Sequence, residues 1–333
     1  MITSNRRFGV EIEFVAPNAT MFERVRRQIP VIRDGSLDPL QHAGEWVSEP
    51  LRGDSGERNI HAVCEVLKKH GATGDNPKTS IHVHLDGRVG QGVLKTSRSP
   101  VPGVNQIAIS NRLKASVGSI NAMSLLNGNG MEQHIDRSYS VSDFEGIQYF
   151  SLAQLTGKPR INYTYYYLDK PDRFIWLRNV FYFYTKFSET MEALVSDSRK
   201  FGNMYCVPLG KSYNLDDIQL TQNMNDLRGL WYKGRRSAGH YDDSRYHNVN
   251  LHCFWDRHGT VEIRSHGGTI DPNKILLWVK LHQCIVDKLE EVSLEELVAM
   301  EGTPQGFINF LGDGMLEDYT KRLLGFYSGI KVK

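Results

Sequence analysis

With 333 residues, 40 basic against 38 acidic side chains and a formal net charge of +2, the chain is long enough to bury a sizeable core. It is too evenly charged to carry a global field for nucleic acid or an anionic membrane. Its 15 Tyr, 14 Phe and 5 Trp argue against a disordered polymer. No apolar run reaches the roughly 18 to 20 residues that span a bilayer, and acidic residues interrupt the opening MITSNRRFGVEIEF before a signal-peptide core could form. The expectation is therefore a cytoplasmic protein with neither membrane nor nucleic acid as partner.

Residues 7 to 15 alternate apolar and polar positions and read as a strand. VIRDGSLD offers a turn at Asp34-Gly35, and GEWVSEPL reads as the next strand, stopped by Pro50. ERNIHAVCEVLKKHG places Ile60, Val63, Val66 and Leu67 at helical spacing, with Gly71 as the stop, and strand TSIHVHLD follows. From about 103 to 240 the pattern turns helical, in IAISNRLKASVGSINAMSLL, RFIWLRNVFYFYTKFSETMEALV and NLDDIQLTQNMNDLRGLW. YHNVNLHCFW, the turn DRHG and TVEIRSHGGTI then predict a β-hairpin, and NKILLWVKLHQCIVDKLEE, SLEELVAM and MLEDYTKRLLGFY close the chain with helices. The expected organisation is one α+β domain: half of a sheet in residues 1–102, a helical insertion able to serve as a lid in 103–240, and the other half with closing helices in 241–333. The sheet should be curved and mainly antiparallel, with about five or six strands and helices on its outer face.

Four stretches put polar chemistry at even spacing within apolar strands: Glu11 and Glu13, Glu45 and Glu49, His82 and His84, Glu262 and Arg264. Successive strand side chains point to opposite faces, so each pair shares one face. Carboxylates gathered on one partly desolvated face repel unless cations neutralise them. A hard ion such as Mg²⁺ suits oxygen ligands, and Mn²⁺ suits carboxylate mixed with imidazole. An H-x-H strand pair can also ligate zinc with a third residue. Arg264 adds a planar donor suited to phosphate or carboxylate. Cys64, Cys206, Cys253 and Cys284 are scattered in apolar contexts and read as reduced core residues.

The order of these pieces, Gly9-Val10-Glu11-Ile12-Glu13, Gly44-Glu45-Trp46-Val47-Ser48-Glu49-Pro50, His82-Val83-His84, Arg245 with Asn250, and Val261-Glu262-Ile263-Arg264, resembles the amidoligase family of the glutamine synthetase and glutamate–cysteine ligase superfamily of carboxylate–amine ligases. The resemblance covers roughly residues 7 to 90 and 240 to 290. It implies a sheet of the glutamine synthetase catalytic type, ATP with two Mg²⁺ or Mn²⁺ ions, and amide formation between a carboxylate-bearing amino acid, peptide or protein and an amine. It implies further that Glu11, His82 and Glu262 hold the metal bridging the nucleotide phosphates, and that Glu13, Glu45 and Glu49 surround the metal nearer the acceptor. His84 would lie by the ATP phosphates and Arg264 would neutralise the phosphoryl group in flight. Arg245, Asn250 and Asp34 are further candidates, and Arg235 and Arg236, in the basic loop WYKGRRSAGHYDD, either close over the nucleotide or are simply solvated, the solvated reading being favoured. DNPKTSIHVHL lacks the glycine-rich lead of glutamine synthetases, so glutamine synthesis itself is not the expectation.

Other phosphate signals fail. GATGDNPKTS lacks the glycine a P-loop needs before Lys78, and GRVGQG does not have a dinucleotide spacing. The aromatic runs YTYYYL and FYFYTKF read as core or as a homodimer interface. Phosphoryl transfer to a nitrogen acceptor, metal-dependent hydrolysis, and a non-enzymatic metal-stabilised binding or assembly protein stay open as alternatives.

Overall fold

The computed structural model describes residues 4, 6–33, 37, 41–87, 173–200, 202–237, 239, 242–256 and 259–332, together with the backbone of three strands between 92 and 167. The strands are β1 (Phe8–Val15), β2 (Ala43–Val47), β3 (Ser80–Asp86), β4 (Gly92–Thr96), β5 (Gln133–His134), β6 (Tyr163–Tyr167), β7 (Val249–Asn250) and β8 (Thr260–Gly267). The helices are α1 (Ala19–Arg26), α2 (Gly53–Lys69), α3 (Arg173–Lys186), α4 (Ser188–Ala193), α5 (Leu215–Gln219), α6 (Met224–Trp231), α7 (His252–Asp256), α8 (Pro272–Lys288), α9 (Leu294–Ala299), α10 (Pro304–Leu311) and α11 (Gly314–Ser328). They fall into two compact units, Met1–Gly87 with Phe174–Lys333, and Arg88–Arg173.

The first unit mixes helices with an open, antiparallel five-stranded sheet in the order β2-β1-β3-β8-β7. The pairing of β3 with β8 is the decisive contact, because it joins strands nearly 180 residues apart in sequence. One face is apolar: Phe8, Val10, Ile12, Phe14, Ile81, Val83, Leu85, Val261 and Ile263 are all buried. Burying each such side chain contributes about 1.5 to 3 kcal/mol, which fixes the register and sends the alternate residues to the other face. Helix α8 begins at Pro272, with the Asp271 carboxylate accepting from the Asn273 N–H, and it buries Ile275, Trp278, Val279, Leu281, His282 and Ile285. Helix α3 joins it through the Trp176 indole N–H, which donates to the Val286 carbonyl at 2.9 Å.

Two local expectations change. The strand expected over YHNVNLHCFW is only Val249–Asn250, and His252–Asp256 is helical. The cause is the Asn250 side chain, whose oxygen accepts the His252 N–H at 2.8 Å and starts the helical turn. Helix α1 is an element the sequence pattern did not suggest; Asn18 caps it by accepting from the Met21 N–H at 3.0 Å.

The second unit has a three-stranded backbone sheet in the order β4-β6-β5. Residues 103–240, read above as helical, thus contain two strands, while the helices from residue 174 onward belong to the first unit. YTYYY is rich in β-favouring residues, which accounts for β6. The helix expected over IAISNRLKASVGSINAMSLL lies outside the described residues, as does the Asp34-Gly35 turn. Among the described residues no helix is long and apolar enough to cross a membrane.

Candidate metal centre

The face of the sheet opposite the core collects the charged doublets. Register places Glu11 directly across from His82, Glu13 across from Glu45, and His84 across from Glu262. Directly opposed side chains on one face lie within contact range. Between Ile263 and His266 strand β8 carries one extra residue relative to β3, so that Arg264 and Ser265 together oppose His82. Such a bulge twists the strand locally and re-aims its side chains. Here it brings the Arg264 guanidinium back onto Glu262, Nη1 to Oε1 at 2.6 Å.

Glu11 sits at the centre. Its Oε2 lies 2.7 Å from His82 Nδ1 and its Oε1 3.1 Å from His84 Nε2. Burial by itself would raise the Glu11 pKa, but the charge of His84 and the hydrogen bonds from His82 and His84 outweigh it and hold the carboxyl well below its usual range. Burial opposes charge on His84 too, yet Glu11 and Glu262 raise its pKa. Glu262 is almost fully buried and accepts from Arg264 and from Asn250 Nδ2, the latter at 2.6 Å. Against the effect of burial, Arg264 first and the two histidines next pull the Glu262 pKa down to about 2.

Among the described residues three donor groupings result, each with its ligand atoms within 4.8 Å of one another: Glu11, His82 and Glu262; Glu13, Glu45 and His82; His84, Cys253 and Glu262. Glu13 and Glu45 are 3% and 4% exposed. Two carboxylates held opposite each other at that depth repel unless a cation or proton comes between them. Glu13 is steadied by Ser80, whose N–H and hydroxyl both donate to Oε2 at 2.6 and 2.7 Å. The chemistry of the first two groupings, carboxylate oxygens with one imidazole, fits Mg²⁺ or Mn²⁺.

The remaining sequence candidates fall in different places. Glu49 is exposed and lies two residues beyond the end of β2, outside all three groupings. Arg245 lies over the Tyr246 ring at 4.7 Å and donates to the Tyr246 hydroxyl at 2.7 Å. Arg235 is tied to the buried Asp242 by bonds of 2.6 and 2.8 Å, and its neighbour Arg236 is exposed. Asn250 does reach the centre, as a donor to Glu262. Asp34 lies outside the described residues.

Two contributors were not singled out from sequence. Ser80 had a readable signal, since it is two residues before His82 and so on the same strand face. Cys253 had none, because a strand through that segment would not reveal the helical turn that brings its sulfur 3.3 Å from Glu262 Oε2.

Residues 172–286 match the family model described as "putative amidoligase enzyme". That stretch includes Arg245, Asn250, Cys253, Glu262 and Arg264; Glu11, Glu13, Glu45, His82 and His84 precede it. No curated protein and no solved structure matches the chain.

Proposed function

We propose that the protein is an ATP-dependent carboxylate–amine ligase that forms an amide through an acyl phosphate. The amidoligase match supports a ligase. The observation that carries the rest is the convergence of Glu11, His82 and Glu262, drawn from both ends of the chain, with donor atoms within 4.8 Å, alongside the Glu13, Glu45 and His82 set that shares His82. Two divalent ions, one on Glu11, His82 and Glu262 and the other on Glu13 and Glu45, would supply charge neutralisation for a triphosphate and an acceptor carboxylate.

The protein's own residues have distinct tasks in this reading. Arg264, held on Glu262 and 17% exposed, keeps a fixed positive charge at the rim to offset the transferring phosphoryl group. Asn250 orients Glu262, and Ser80 orients Glu13. His84 would meet the phosphates, with its other nitrogen 3.1 Å from the Thr260 hydroxyl. Arg236 and Arg245 are the candidates for further phosphate contacts. The γ-phosphoryl of ATP passes to the substrate carboxylate with release of ADP, and the amine then displaces phosphate from the acyl phosphate.

The test is ADP release in the presence of Mg²⁺, screened with carboxylates (amino acids, peptides) and amines, with hydroxylamine added to trap an acyl phosphate. Hydroxamate formation is expected, and Glu11→Ala should abolish turnover while circular dichroism stays unchanged. ADP release without hydroxamate would instead favour phosphoryl transfer to nitrogen or plain hydrolysis. Full activity in Glu11→Ala would reject the site.

A further inference from the structure

Of the four free cysteines, Cys64 and Cys284 are buried in the hydrophobic core and Cys206 is buried against the Arg264 carbonyl, whereas Cys253 is half-buried and its sulfur meets Glu262. Its Sγ is 3.3 Å from Glu262 Oε2, and Glu262 Oε1 is 3.9 Å from His84 Nε2. A tetrahedral zinc ion with bonds of about 2.0 to 2.3 Å sets neighbouring ligand atoms roughly 3.3 to 3.8 Å apart. The first distance falls at the lower end of that range and the second just above it, each ending on a different oxygen of Glu262, so that one carboxylate lies between the sulfur and the imidazole. The third edge, Cys253 to His84, lies within the 4.8 Å span of the group.

The supporting atoms are in place as well. His84 Nδ1 lies 3.1 Å from the Thr260 hydroxyl, which fixes the ring so that Nε2 faces the cluster. Asn250 Nδ2 reaches both Cys253 Sγ at 3.3 Å and Glu262 Oε2 at 2.6 Å, a donor placed to stabilise thiolate and carboxylate together.

We propose that His84, Cys253 and Glu262 form a thiophilic metal site, selective for Zn²⁺ over Mg²⁺, next to the proposed Mg²⁺ centre and sharing Glu262 with it. Nitrogen, sulfur and oxygen donors from three elements select zinc or cobalt rather than magnesium. On binding, the Cys253 thiol releases its proton to solvent and a metal–sulfur bond forms, with no change in oxidation state. Occupancy draws His84 away from Glu11 and engages Glu262, so zinc would restrain turnover; this consequence rests on the ligase reading, whereas the binding site does not.

The test uses the full chain stripped of metal and titrated with Co²⁺, which gives a near-ultraviolet thiolate-to-cobalt absorption band when sulfur is a ligand. One equivalent should produce the band, Zn²⁺ should bleach it, Cys206→Ser should keep it, and Cys253→Ser should lose it with at least a tenfold weaker Zn²⁺ affinity, since even loss of a supporting partner costs roughly 10- to 100-fold. Alkylation of the unmodified chain read by mass spectrometry needs no variant: Zn²⁺, unlike Mg²⁺, should protect Cys253. Absence of the band, its persistence in Cys253→Ser, or equal alkylation with and without Zn²⁺ would overturn the site. A Cys253-dependent band in a protein with no Mg²⁺-dependent ADP release would remove the ligase reading and leave this one standing.

Discussion

His282 offers the sharpest quantitative test of the core. It is fully buried on α8, its Nδ1 lies 2.7 Å from the Tyr184 hydroxyl, and its ring meets Trp278 edge-on at 4.4 Å. Burial, and then the neighbouring His266, push its pKa down to about 3. An unfolded histidine titrates near 6.5. Above that pH both states are neutral and the residue adds no pH dependence. As the pH falls below about 6.5 the unfolded chain takes up a proton that the folded protein refuses, so stability is lost progressively until the folded pKa is reached. By about pH 4.5 the difference amounts to two pK units, or about 3 kcal/mol, a large fraction of the stability of an ordinary domain. Urea unfolding of the metal-free protein at about pH 7.5 and about pH 4.5 measures the loss, and the same pair of measurements on His282→Gln, which keeps a polar group for Tyr184, subtracts every other titrating residue. The wild type should lose about 3 kcal/mol more than the variant over this interval. Equal losses would show that His282 carries its proton in the folded state, and the burial argument would fail.

Three further outcomes follow from the same contacts. Arg6 is buried where it pairs with Asp287 at 2.5 Å and Glu290 at 2.7 Å and donates to the Asp86 carbonyl, so Arg6→Ala should destabilise by about 3 kcal/mol in urea, because it removes these three contacts of a buried guanidinium at once. Asn250→Ala should weaken Mn²⁺ binding roughly 10- to 100-fold by calorimetry, since it removes a donor to Glu262 and, with it, the side-chain cap of the turn that follows. Gly268→Ala would drive a methyl group into the Thr79 hydroxyl and the Gly74 carbonyl, beside the Ser80 that seats Glu13, and should cost about 3 kcal/mol by thermal melting. Unchanged melting would mean that this corner yields.

Alternation along single strands was legible from residues alone. Glu11 with Glu13, His82 with His84 and Glu262 with Arg264 are flanked by apolar residues whose burial dictates which face each polar side chain takes, and that rule is local. So were the long helices α2 and α8, whose apolar spacing and, in α8, the Asp271 cap before Pro272 lie within the segment itself. Glu49 was read on the same logic, but β2 ends at Val47 and the rule no longer applies beyond it.

What the tertiary structure decided is which strands become neighbours. Nothing within β3 or β8 announces that His84 faces Glu262, because strand pairing across so long a separation depends on how every apolar face packs at once. The bulge that turns Arg264 onto Glu262, the side-chain cap that ends β7 early, and the helical turn that delivers the Cys253 sulfur all arise from that packing. A sequence states what each strand can present; the free energy of burying both sheet halves together determines what those side chains meet.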